Sequence, residues 1–187
     1  MRVFKIFKAS LVAVVLATSV STMAEAANRG PFSLVTHKGE KVTDESFLGQ
    51  YMLVVFGYTH CPDVCPTDLQ VISEALDMLG KDAGKIQPLF ITLDPERDTE
   101  KVMAEYVQHF HPKLIGLTGA KSQTKAAADV YRIQKRIYYP LDGDKKDYLL
   151  DHSAAIILIG PDGGGLSMFP HGIAPEDIVK DIRSYLK

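Results

Sequence analysis

Cys61 and Cys65 are the only two cysteines in this chain of 187 residues. They lie in Phe56-Gly57-Tyr58-Thr59-His60-Cys61-Pro62-Asp63-Val64-Cys65-Pro66-Thr67. On a helix, side chains four apart have β-carbons about 5–6 Å apart. Two sulfurs so placed can bracket a soft metal or, with modest adjustment, close a disulfide. Among common metals, soft thiolates select Cu(I). The pair can also exchange with a partner's disulfide through a mixed disulfide, although redox dithiols usually carry two intervening residues rather than three. A structural disulfide is the plain alternative. A loop this short removes little entropy from the unfolded chain, so it would be a poor staple.

The flanking sequence says how such a pair would be held. Tyr51 to Tyr58 is a continuous apolar run, the pattern of a strand buried on both faces. After the pair, Leu69, Ile72, Leu76 and Leu79 recur at helical spacing, and Gly80 closes the pattern. The cysteines therefore sit where a helix begins. Unpaired N–H groups and the positive end of the helix dipole favour thiolate there, pulling the thiol pKa below about 8.5. Pro62 and Pro66 suit a first turn. With the helix starting at Pro66, residues 61–65 form a tight lead-in loop.

The rest of the chain alternates strands and helices. Residues 31–42 read as an N-terminal hairpin, turning at His37-Lys38-Gly39-Glu40. Gln87 to Leu93 is a second buried strand, and 98–110 a helix with Val102, Tyr106 and Phe110 on one face. Lys113 to Thr118 is a short strand and Ser122 to Ile133 an Ala-rich helix. Tyr148 to Leu150 and Ala155 to Ile159 are strands. Gly163-Gly164-Gly165 turns into Leu166 to Phe169, and a last helix runs from about Pro175 to Leu186. This order predicts an α/β fold of the thioredoxin-like plan: a central mixed sheet flanked by helices. It adds the N-terminal hairpin and an inserted loop or hairpin near 138–147. No repeat or low-complexity tract interrupts it.

The first residues read as a targeting segment. Arg2, Lys5 and Lys8 precede Ala9 to Val20, an apolar run of about 12 residues, and the small-residue stretch 24–27 follows. A membrane span needs about 20 apolar residues. Residues 1–27 are thus expected to be a cleaved secretory signal, 28–187 the folded domain, and the periplasm its compartment. No cysteine stands at the cleavage point to carry a lipid. Setting the leader aside leaves the chain more acidic than its overall net charge of −2. There is no basic excess to drive nucleic-acid binding, and no stable membrane span in the remainder. In an exported protein two thiols tend to oxidise unless a reductant or a metal holds them.

Two sulfurs are an incomplete set for most metals. Asp151-His152-Ser153 stands just before the strand Ala155 to Ile159, a junction that thioredoxin-like folds bring near the cysteine helix. His152 is therefore the candidate third ligand; read alone, it would be a hydrogen-bonded core histidine. Asp94 and Asp98 suit turn and cap chemistry, with Asp98 or Thr99 capping the next helix. Either carboxylate is also a candidate outer-sphere contact or Cu(II) ligand. His60 adjoins Cys61 and is expected to point away. His109 and His111, two apart, cannot share a helix face, and His37 and His171 carry no motif. Met78, Met103 and Met168 are scattered and read as filler. Asp142 to Asp147 is a polar turn rather than a calcium loop, lacking the closing glutamate.

Three segments in order, Gly57-Tyr58-Thr59-His60-Cys61-Pro62-Asp63-Val64-Cys65-Pro66, Leu93-Asp94-Pro95-Glu96-Arg97-Asp98-Thr99 and Asp151-His152-Ser153, resemble the Sco (SenC) family. The resemblance covers nearly everything from about residue 30 onward. It implies a copper site of two cysteines and one histidine, here Cys61, Cys65 and His152, taking Cu(I) and Cu(II). It implies a metallochaperone for the dinuclear copper site of cytochrome c oxidase. The expected partners are the copper-binding subunit of a terminal oxidase, other copper chaperones and thioredoxin-like reductases. Many members keep a membrane or lipid anchor, which the leader here does not suggest. The alternative is a thiol–disulfide oxidoreductase that reduces the cysteines of that copper site or of other exported proteins. A peroxidase-like reading fits poorly, for the threonine three residues before a single catalytic cysteine is missing.

Overall fold

The computed structural model describes residues 31–186; the expected leader, 1–27, lies outside the described residues. Strand β1 (Ser33–Thr36) pairs antiparallel with β2 (Lys41–Thr43), with Leu34 opposite Val42. This is the expected N-terminal hairpin. Gly39 takes φ 82° in its turn, a conformation glycine adopts without a Cβ penalty.

Strand β3 (Tyr51–Gly57) is buried from Met52 onward. Its alternate side chains serve two cores: Leu53 and Val55 face one, while Met52, Val54 and Phe56 face the other. That two-sided burial is why the segment is uniformly apolar rather than alternating. Helix α1 (Val64–Leu79) follows, then β4 (Ile86–Thr92), α2 (Glu100–Val107), β5 (Ile115–Thr118) and α3 (Lys121–Val130). Next come β6 (Lys135–Tyr138), β7 (Leu149–His152), β8 (Ala155–Ile159), β9 (Gly165–Pro170) and α4 (Pro175–Tyr185).

Seven strands form one sheet in the order β2-β1-β5-β4-β3-β8-β9. Strands β3, β4 and β5 run parallel, while β1, β8 and β9 join antiparallel. Leu69, Ile72 and Leu76 of α1, Met103 of α2 and Ile178 and Ile182 of α4 cover one face. Ala127 and Ala128 of α3 pack on the other with Phe56 and Ile91. The central mixed sheet flanked by helices is the expected architecture.

Three details differ from expectation. Helix α1 starts at Val64, so Cys65 stands in its first turn rather than in a lead-in loop. Helix α2 is shorter than 98–110; it buries Met103 and Val107, with Tyr106 and Phe110 partly covered. Its cap is Thr99, whose hydroxyl accepts the Val102 N–H at 3.4 Å. Asp98 is pulled inward instead. Strand β6 was not foreseen, because all four of its residues are exposed and carry no alternating signal. It pairs antiparallel with β7, Tyr138 facing Leu149 and Lys135 facing His152. The insertion near 138–147 is therefore the tip of a hairpin standing outside the main sheet.

Candidate metal centre

Strand β3 delivers the cysteine loop. Leu93 N–H donates to the Gly57 carbonyl at 2.7 Å, tying the ends of β3 and β4 together. A Cβ built on Gly57 would lie 2.7 Å from Cys65 Sγ and 2.8 Å from Phe90. Only glycine lets the sulfur come this close to the strand. The chain turns where Cys61 N–H donates to the Tyr58 carbonyl at 3.2 Å. Cys65 N–H, unpaired within the helix at its first turn, donates to Cys61 Sγ at 3.4 Å. Cys61 thus acts as the acceptor at the start of α1. It is half-buried, Cys65 is buried, and both are free thiols.

The third donor comes from the hairpin. His152, the last residue of β7, places Nε2 3.5 Å from Cys65 Sγ. Its Nδ1 lies 3.0 Å from the Ser153 carbonyl. That carbonyl can only accept, so Nδ1 carries the hydrogen and Nε2 is left facing the sulfur. The imidazole edge meets the buried Tyr58 ring at 6.3 Å between centroids. Tyr58 in turn accepts the Leu150 N–H at 3.2 Å, so one side chain of the cysteine loop fixes the strand that carries the histidine.

The electrostatics separate the two thiols. The hydrogen bond from Cys65 pulls Cys61 down to about 3, against the opposing effect of its partial burial; His152 and backbone N–H groups add to the pull. Cys65 is pushed up, first as the donor to Cys61 and then by burial. Burial works against a charged His152, but its bonds to Cys61 and the Ser153 carbonyl outweigh that and raise its pKa. The two thiols are thus unequal: Cys61 favours the thiolate and Cys65 the thiol.

Asp94 and Asp98 hold the loops around this centre. Asp98 is fully buried. Its carboxylate accepts the Thr59 N–H at 3.1 Å, the Thr59 hydroxyl at 2.6 Å and the Thr92 hydroxyl at 2.5 Å. Burial raises its pKa, and the threonine bonds offset part of that. Asp94 accepts the Tyr148 hydroxyl at 2.6 Å and pairs with Arg97. The Arg97 guanidinium lies 3.7 Å over the Tyr148 ring and donates to the carbonyls of Tyr148 and Lys146. Asp94 and Arg97 therefore clamp the tip end of the hairpin, where the chain enters β7, four residues ahead of His152. Sequence reasoning quoted Arg97, Thr59 and Tyr58 within motifs but gave them no role. Thr92 and Tyr148 carried no signal of their own.

The other histidines are occupied elsewhere. His60 is exposed, with Nδ1 3.2 Å from the Thr59 hydroxyl. His37 Nδ1 accepts the Gly116 N–H, and His111 Nδ1 the Lys113 N–H. His109 is exposed. His171, without a motif in the sequence, pairs with buried Asp68 at 2.7 Å. Met103 is core, while Met78 and Met168 are exposed.

The chemistry of the donor set fits a soft metal in low coordination. Thiolate sulfur and imidazole nitrogen are the donors that a soft or borderline ion such as copper would take together. Cys65 Sγ and His152 Nε2 stand 3.5 Å apart. Among the described residues, no group of three His, Cys, Asp or Glu side chains is closed round a metal position as it stands. The thiols and imidazole face one another through hydrogen bonds, which a metal would replace.

The profile of the SCO1/SenC family matches residues 20–187. The chain belongs to that family. It is 43% identical over 163 residues to the human mitochondrial SCO1 homologue, covering 84% of this chain and 52% of the relative. The Schizosaccharomyces pombe protein sco1 is 40% identical over 157 residues, covering 83% of this chain and 60% of the relative. The chain thus spans about half the length of its human SCO1 relative. Among solved structures, Bradyrhizobium japonicum ScoI with copper bound superposes with TM-score 0.76 at 43% identity, over 83% of this chain and 97% of that one. Yeast Sco1 with copper bound gives 0.75 at 34% identity, over 83% and 86%. Like these SCO1/SenC proteins, the chain has a thioredoxin-like sheet. Among the described residues, no helix is long and apolar enough to cross a membrane.

Proposed function

We propose that this chain is an exported metallochaperone that takes copper on Cys61, Cys65 and His152 and hands it to the dinuclear copper site of a cytochrome c oxidase. The observation that carries this reading is the meeting of three soft or borderline donors from two separately mounted segments. Copper in two solved relatives supports the choice of metal. The Cys61 thiolate is the first donor. Cys65 surrenders its proton on binding, and His152 offers Nε2. An open site of three donors suits transfer, because a recipient's ligands enter before the old ones leave. Asp94 and Asp98 act as supports for the loops. On this reading residues 1–27 are removed on export, 28–187 fold as one unit in the periplasm, and the recipient is the copper-binding subunit of the oxidase. Other copper chaperones would load the site, and thioredoxin-like reductases would keep its thiols reduced.

The unequal thiols favour a second activity, thiol–disulfide exchange. The half-buried Cys61 thiolate would attack a partner disulfide, releasing one partner thiolate and forming a mixed disulfide. Cys65, on losing its proton, would then attack Cys61 Sγ, freeing the second partner thiolate. The partner leaves reduced and the pair oxidised.

Anaerobic Cu(I) titration of the reduced protein separates the two. Wild type is expected to bind one Cu(I), Cys61→Ser with Cys65→Ser none, and His152→Ala to bind more weakly. Equal affinity in His152→Ala sinks the three-donor site; retention of biological activity by that variant would hand the main role to thiol exchange.

A further inference from the structure

Three hollows meet on the side of the hairpin base that carries His152. One of about 510 Å³ lies between α3 and β6, over Leu93, Ala128 and Ile133, with Lys121, Lys125 and Lys135 at its rim. A second, about 460 Å³, runs past Lys135 and Arg136 to His152 and Ser153. A third, about 390 Å³, is lined by Arg132, Ile133, Ser153, Ala155 and Met168. Shared residues set them side by side, together a composite groove: Gln134 and Lys135 lie between the first two, and Ile133 and Ser153 border the third.

The groove gathers five cations against two carboxylates, Asp129 and Asp151, on a chain whose net charge is negative. Lys125 pairs with Asp129 and Lys121 with Glu96, both in exposed positions where such pairs are readily exchanged. Lys135 Nζ donates to the Leu93 carbonyl at 2.6 Å. Arg132 and Arg136 are different. Neither makes an ion pair among the described residues, and Arg136 has one long bond to the Tyr138 hydroxyl at 3.4 Å. Arg132 is also the one non-glycine residue there with positive φ, 55°. It closes α3 at a position where glycine or asparagine avoids the Cβ penalty. Folding therefore gives no reason for arginine at that turn, and its charge is left free at the groove.

We infer that this groove docks an acidic, partly apolar segment of the protein that receives the copper. The inference rests on the function proposed above. Opposite charges would steer that segment, and exposed Met168, beside the hollows floored by the buried Leu93 and Ile133, would meet its apolar side chains. Docked there, the partner lies against the exposed side of His152, the ligand on the hairpin. Concave hollows, two with apolar floors and the one at His152 polar throughout, favour a mixed polypeptide segment over a flat lipid surface.

The test uses the full chain and a fluorescein-labelled peptide of alternating glutamate and leucine, followed by anisotropy at low and at physiological salt. Arg132→Glu with Arg136→Glu is expected to weaken binding about tenfold or more, with most of the loss in the on-rate. Arg132→Gly, which relieves the backbone strain and so protects the fold, is expected to weaken it in the same direction. Lys180→Glu, exposed on α4 across the sheet, is expected to leave binding unchanged. Equal binding by the charge-reversed protein overturns the inference. So does an equal loss in Lys180→Glu, equal binding of the same peptide with lysine for glutamate, or tighter binding to phosphatidylserine vesicles through the same arginines. Cu(I) uptake is measured on every variant and is expected to hold. Peptide binding without copper uptake would refute the copper reading alone; copper uptake without peptide binding would refute the groove alone.

Discussion

The cysteine loop and the histidine hairpin meet at one centre, but they are held in different ways. Cys61 and Cys65 hang from the middle of the main sheet: β3 has a hydrogen-bonded neighbour on each side, and α1 packs into the larger core. His152 ends a two-stranded sheet that stands apart, whose β6 is exposed throughout. A lone two-stranded hairpin is marginal in water. Its order here comes from side chains reaching across: Arg97 over Tyr148, Asp94 to the Tyr148 hydroxyl, and Tyr58 to Leu150. The comparison teaches that the sulfurs are built into the fold, whereas the imidazole is clamped on. A site assembled that way has one donor mounted independently of the other two.

The clamp is the place to break this contrast. Arg97→Ala leaves Asp94, nearly all buried, without its cation, and breaking a buried pair by removing one partner costs about 3–5 kcal/mol. The expected result is a lower urea midpoint together with weaker Cu(I) binding, while Cys61 keeps its thiol reactivity. Arg97→Lys should rescue little, because the stacked, forked guanidinium serves Tyr148 and the carbonyls at once. If Arg97→Ala changed thiol reactivity and copper binding alike, the two regions would be one cooperative unit.

Gly57→Ala probes the opposite region. Its Cβ would meet Cys65 Sγ and the Phe90 ring well inside normal contact. Overpacking of this kind costs about 1–3 kcal/mol. Here it should displace Cys65 away from β3, so Cu(I) affinity falls even with His152 in place. A thermal melt and a Cu(I) titration read the two effects separately. An alanine variant as stable and as copper-competent as wild type would show that the sulfur position is not set by the strand.

What was legible in the sequence follows the same division. The continuous apolar runs of β3 and β4, the spacing of Leu69, Ile72 and Leu76, and the fold's placement of His152 near the cysteine helix could all be read directly. The apolar runs and the helix spacing are dictated by burial against the main sheet, and His152 is placed by standing just ahead of β8, a strand of that sheet. Strand β6 could not be read, because no face of it is buried and pairing with β7 alone defines it. Nor could the work of Asp98: a carboxylate beside Thr99 looks like a cap until the half-buried Thr59 and buried Thr92 hydroxyls are seen to draw it inward. The Arg97–Tyr148 contact spans residues far apart in the chain, and no local pattern encodes it. Arg132 at positive φ is likewise visible only in the backbone.

The smallest and sharpest difference lies within the cysteine pair itself. An ordinary thiol loses about a thousandfold in thiolate between pH 8 and pH 5. Cys61, held down near 3 by the Cys65 hydrogen bond, remains thiolate across that whole interval, and its reactivity falls only on further acidification. Cys65, buried and pushed upward, stays protonated. Iodoacetamide at pH 5 is thus expected to label Cys61 at nearly its pH 8 rate and to spare Cys65, as peptide mapping by mass spectrometry would read. Cys65→Ser keeps a hydroxyl donor beside Cys61, of shorter reach than the thiol, and Cys65→Ala removes the donor altogether, so the labelling profile should move to higher pH furthest in Cys65→Ala. Equal labelling of both cysteines, or a Cys61 profile indifferent to Cys65→Ala, would mean that the helix N-terminus sets the thiolate and the neighbouring thiol does not. In that case the asymmetry that favours exchange would belong to the backbone rather than to the pair.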